Sequence, residues 1–110
     1  MSNIKIFRAN RGEGKTKWLA ERIKECVDAG CNCYYIGWVM SFNKVKSFYE
    51  TTYHEFCPLK HGQPYKETSN NCFFTDEFFD NMTPIQAHQL EVLGSGDPWY
   101  ITMSKEDFVN

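Results

Sequence analysis

The chain has 110 residues, 42% of them hydrophobic and 24% charged, with a net charge of -2. That is the length and composition of one ordinary globular domain. No run of 18 or more apolar residues occurs, which excludes a membrane-spanning helix, and Met1-Ser2-Asn3-Ile4-Lys5 is no secretory leader, so a cytoplasmic protein is expected.

The charge is uneven. Residues 1–66 hold eleven of the twelve Lys and Arg, while residues 67–110 hold Lys105 beside eight acids. A basic amino-terminal half suits a phosphate-bearing ligand. The five cysteines are expected to be reduced, with Cys26, Cys33 and Cys72 acting as small core residues.

In chain order, Ile4-Lys5-Ile6-Phe7-Arg8 alternates and predicts a strand over about residues 3–8. From Lys15 to Asp28, Leu19, Ile23, Cys26 and Val27 fall at helical spacing, and Gly30 is a natural left-handed stop. The apolar run Cys33–Val39 predicts a second strand, covered on both faces. Ser41 can cap a helix carrying Phe42, Val45, Phe48 and Tyr49. Pro58, Gly62 and Pro64 predict irregular chain over residues 57–71. Cys72-Phe73-Phe74-Thr75 is a third strand, closed by Asp76-Glu77. Thr83-Pro84-Ile85-Gln86 opens a third helix that Gly94 and Gly96 stop. Trp99–Met103 is a fourth strand, and Ser104–Asn110 a short tail. This alternation predicts an α/β fold, a parallel sheet with helices on both faces.

The segment between the first strand and first helix is Ala9-Asn10-Arg11-Gly12-Glu13-Gly14-Lys15-Thr16. It fits Gly-x-x-x-x-Gly-Lys-Ser/Thr in every place except Ala9. Glycine lets backbone N–H groups turn inward around a phosphate, and the helix that follows points its positive end at the anion. The chain thus resembles the P-loop NTPase superfamily. Phe73-Phe74-Thr75-Asp76-Glu77 resembles that superfamily's hydrophobic strand ending in Asp-Glu, found in members with a catalytic glutamate.

The resemblance implies a three-layer αβα core in one domain over residues 1–110, with a four-stranded parallel sheet that is truncated relative to larger relatives. It would place the first strand beside the fourth, then the third, then the second. ATP would be held by Asn10, Arg11, Gly12, Glu13, Gly14, Lys15 and Thr16, and Mg²⁺ by Thr16 and Asp76. Lys15 and Glu77 would be the catalytic residues, Glu77 activating water, and Thr102 or Ser104 would sense the γ-phosphate. Arg8, Arg11 and Arg22 make no clear arginine finger, so slow hydrolysis is expected.

The nearest subfamily likeness is to viral packaging motors and helicase-like cores; the small size suits a viral accessory protein in host cytoplasm, and the residues themselves mark no nucleic-acid site. Asp76-Glu77-Phe78-Phe79 also looks like thymidine kinases, where Glu77 would be base for a nucleoside hydroxyl. A third reading is a non-enzymatic, nucleotide-dependent binder that pairs with a second copy or another protein through an exposed first strand. Phe78 and Phe79 could line a partner surface.

Two further groups stand apart. His54, Cys57, His61 and Cys72 could form a zinc site, although surface histidines are the default. Tyr34, Tyr35, Trp38, Phe48 and Tyr53 could stack nucleic-acid bases, but strand and inner-helix positions favour core packing.

Overall fold

The computed structural model describes residues 4–10, 12–62, 70–76 and 97–103. The described residues form five strands and two helices, in the order β1 (Ile4–Arg8), α1 (Lys15–Asp28), β2 (Asn32–Tyr35), α2 (Val39–Tyr53), β3 (Lys60–His61), β4 (Asn71–Thr75) and β5 (Trp99–Met103). The strands form one sheet in the order β1-β5-β4-β2-β3, and every pairing is parallel. The four expected strands are therefore present in the expected spatial order.

The sheet has five strands, not four. The additional one, β3, lies in the stretch read as irregular and pairs Lys60 and His61 with Tyr34 and Tyr35. Two residues between Pro58 and Pro64 are too few to show periodicity.

Side-chain alternation along the strands separates two apolar clusters. Leu19, Ile23 and Cys26 of α1 and Val45 and Tyr49 of α2 pack with Cys33, Tyr35, Cys72 and Phe74 of the sheet. Tyr34, Phe73, Trp99, Ile101 and Met103 form the cluster on the opposite face. The two described helices thus share one face of the sheet. The physical reason is direction: β1 to β2 and β2 to β3 step the same way across the sheet, and right-handed crossovers then place both helices on one side. The predicted third helix lies outside the described residues, as does the predicted tail.

Local signals account for most element ends. Gly30, at φ 81°, closes α1, with Ala29 N–H donating to Glu25 O and Gly30 N–H to Val27 O. β2 is shorter than the run Cys33–Val39. Its ladder ends as Ile36 N–H donates to Phe74 O, and Gly37 at φ 145° then turns the chain outward. α2 starts at Val39 with Trp38 as its capping residue, three residues ahead of the expected Ser41 cap. Trp38 is consequently 59% exposed and lies outside the core expected for it, while Tyr35 is fully buried.

Candidate phosphate-loop site

All strands run parallel, so their carboxyl ends share one edge of the sheet. The chain leaves β1 for the far side and returns to β4 and β5 beside it, which is where open parallel sheets present ligand sites. The loop after β1 and the residue after β4 meet at that edge.

The loop is fixed at both ends. Ala9 N–H donates to Met103 O at 3.1 Å, tying its start to the end of β5. Ala9 is buried and is not among the left-handed residues, so its methyl sits there without strain. Asn10 and Glu13 bracket the turn: Glu13 N–H donates to Asn10 O at 3.1 Å, and the Glu13 carboxylate accepts from Asn10 N–H. Gly12 and Gly14 adopt φ of 83° and 90°, the left-handed region that glycine reaches without penalty. A side chain at either would meet open space, so the demand for glycine is conformational.

Gly14 is also the capping residue of α1. Among the described residues no side chain caps the first turn of this 14-residue helix and no acid lies in it. Lys15 and Thr16, the first two helical residues, are half-buried beside it.

Asp76 is 1% exposed and is held from three elements. Its Oδ2 accepts from Thr16 Oγ1 of α1 at 3.0 Å, and its Oδ1 accepts from Thr102 Oγ1 of β5. Its backbone N–H donates to the Tyr35 hydroxyl of β2 at 3.2 Å. A carboxylate this far from water requires such partners. Thr16, Asp76 and Thr102, chosen from the sequence for metal binding and sensing, therefore meet in one network. Tyr35 was missed as a site residue. Its signal was a tyrosine at the end of a buried apolar strand, where a phenol needs a partner and a phenylalanine would not.

Thr16 Oγ1 and Asp76 Oδ2 are neighbouring oxygen donors of the kind a hard divalent cation takes. Arg11, Glu77, Ser104, Phe78 and Phe79 lie outside the described residues. Arg22 is engaged within its own helix, with Glu25 at 3.1 Å and Glu21 at 3.7 Å.

The zinc candidates are dispersed. His54 is exposed at the carboxyl cap of α2, and His61 Nε2 lies 2.7 Å from Gly37 O. Cys57 and Cys72 are buried in the helix-side core. Among the described residues, no three His, Cys, Asp or Glu side chains are placed to share a metal ion. All five cysteines are free thiols. The neighbouring Cys26 thiol, and then burial, push Cys33 and Cys72 above the usual thiol range, while burial raises Cys57.

Among the described residues, no helix is long and apolar enough to cross a membrane. No family model, curated protein or solved structure matches the chain.

Proposed function

We propose that this chain is a minimal ATP-binding protein of the P-loop type that hydrolyses ATP slowly in the presence of Mg²⁺. The observation that carries the reading is the convergence of Thr16 and Thr102 on buried Asp76, beside an uncapped helix entered through two left-handed glycines. A glycine-turned strand-to-helix junction supplies backbone N–H groups and a helix dipole to the phosphates. Lys15 adds a mobile cation for the β- and γ-phosphates.

The donor set fits Mg²⁺: a threonine hydroxyl and a carboxylate oxygen, both hard ligands. Bound there, the ion would neutralise phosphate charge as the γ-phosphoryl group leaves. Thr102 holds the second Asp76 oxygen and so fixes which way the carboxylate faces. Glu77, next in the chain, is assigned the proton of the attacking water: its oxygen bonds to the γ-phosphorus while the bond to the bridging oxygen breaks. Arg22, spent on glutamates of its own helix, is not offered as an arginine finger, a group that contributes on the order of 10³–10⁵ in rate where one exists.

A second reading has one observation in its favour. β1 is an edge strand among the described residues and leaves Ile6 44% exposed, which suits strand pairing with a second copy. Sedimentation across a concentration range tests it: dimerisation lost in Ile6→Lys supports that use of the edge, and a strict monomer removes it.

Calorimetric titration with ATP, with and without Mg²⁺, beside Lys15→Ala tests the leading reading. Binding by the wild type that is abolished in the variant, with phosphate release lost in Glu77→Gln, is the expected result. Absence of binding at millimolar ATP would overturn it.

A further inference from the structure

The carboxyl end of α1 gathers a group of thiols that the phosphate loop does not use: Cys26, Cys31, Cys33 and Cys72. A rule of helix ends brings the first two together. Gly30 N–H donates to Val27 O at 3.0 Å and Cys31 N–H to Cys26 O at 2.9 Å, with Gly30 at φ 81°. This pair of bonds around a left-handed glycine is the Schellman closure, which sets the side chain after the glycine against one in the last turn of the helix. Here those two side chains are Cys31 and Cys26. The 2.9 Å bond between their backbones also keeps the two Cα atoms inside the roughly 7 Å that a disulfide spans.

The sheet supplies the other two. Cys33 of β2 and Cys72 of β4 are register partners on neighbouring parallel strands. Both belong with Cys26 to the helix-side core, and Cys31 packs against it.

The four thiols differ in access and in charge. Cys26, Cys33 and Cys72 are buried, whereas Cys31 is half-buried. Hydrogen bonds from Cys33, and then from Cys72, favour the Cys26 thiolate and hold that group below the usual thiol range. The cluster therefore keeps its nucleophile at Cys26 and its opening to solvent at Cys31.

We propose that Cys31 is a thiol-oxidation site that reacts with a small-molecule disulfide from solvent, and that Cys26 resolves the adduct into a Cys26–Cys31 disulfide. The Cys31 thiolate attacks one sulfur of the reagent, forms a mixed disulfide and releases the first small thiol. The Cys26 thiolate then attacks Cys31 Sγ, and the bond to the second small thiol breaks as the protein disulfide forms. The protons given up by the two cysteines end on the two released thiols. Two protein thiols are oxidised and one small disulfide is reduced. Burial divides the labour: Cys26, only 5% exposed, is closed to the reagent but adjoins Cys31. The site lies at the opposite end of α1 from the phosphate loop and stands whether or not ATP binds there.

The test is incubation of the folded chain with oxidised glutathione, followed by intact mass and by peptide mapping after cleavage at Asp28, which separates Cys26 from Cys31. The expected result is the loss of two hydrogens per chain and a cross-link whose fragmentation places it between Cys26 and Cys31, reversed by dithiothreitol. The bond should still form in Cys33→Ser. Cys31→Ser should abolish it, and Cys26→Ser should stop the reaction at its first step, with one glutathione left on Cys31. Thermal melting checks that each variant is folded, and the wild-type map decides the matter where a buried variant is not. A wild type that stays fully reduced, a bond from Cys26 to Cys33 or Cys72, or undiminished oxidation of folded Cys31→Ser would each overturn the proposal.

Discussion

The two helices lie side by side on one face of the sheet, yet they deploy their polar surface in opposite ways. On the flank of α1, Arg22 and Lys24 are matched to acids, and Lys24 is driven above its ordinary value by the hydrogen bond to Glu55. At the start of α1, Gly14 is the capping residue, and no side chain among the described residues caps the first turn. For α2 the flank is the open part, with Trp38, Val39, Met40 and Phe56 exposed in the helix or in the segments that enter and leave it. The difference separates two kinds of recognition. A helix end offers fixed N–H groups and a dipole to a compact anion, whereas a helix flank offers area to an extended partner.

Breaking the support beneath α1 should have the largest effect. Leu19 is fully buried between α1 and the sheet, and Leu19→Ala should cost about 2–5 kcal/mol in urea unfolding through the cavity it leaves. A smaller loss would mean that α1 is less firmly seated than its burial indicates.

The next effect sharpens the role of the helix end. Thr102→Val removes the donor to Asp76 Oδ1 while keeping shape, and leaves a buried carboxylate oxygen short of a partner. We expect a loss of about 1–3 kcal/mol, read in the same denaturation assay. Unchanged stability would place Asp76 in water, contrary to its burial.

On the α2 side, the Tyr49 hydroxyl is buried without a hydrogen-bond partner among the described residues. Burial raises its pKa, so at neutral pH it remains a neutral, unsatisfied group. Tyr49→Phe should therefore raise stability, by roughly 1 kcal/mol. A loss of that size would reveal a partner for the hydroxyl.

The smallest effect concerns the loop itself. The Glu13 carboxylate takes the Asn10 N–H, placing a negative charge in the loop assigned to phosphate. Glu13→Ala should tighten ATP binding about fivefold, equivalent to removing about 1 kcal/mol of solvent-screened repulsion. Weaker binding would instead make Glu13 a brace that holds the loop in shape.

The alternation of strands and helices was legible because each long element carried its own period: Leu19, Ile23 and Cys26 for α1, and the apolar run Cys72–Thr75 for β4. The spatial order of the strands was not. It came from family likeness and agrees with the pairing found. What local pattern missed follows from scale and context. β3 is too short to have a period and exists because Tyr34 and Tyr35 offer it a ladder. Trp38 reads as core by hydropathy, but a left-handed Gly37 turns the chain before it. At the site, Thr16, Asp76 and Thr102 were legible as residue types. Their meeting required the fold, as did Tyr35, whose ring serves the core while its hydroxyl serves Asp76.

The most direct test of the account is the Mg²⁺ dependence of ATP affinity in the wild type and in Asp76→Asn, measured by calorimetry at matched ionic strength. The account predicts that Mg²⁺ strengthens binding in the wild type and that this gain disappears in the variant, with residual metal-free binding retained through the loop and Lys15. An equal Mg²⁺ gain in both proteins would contradict it, because the ion would then be held without Asp76.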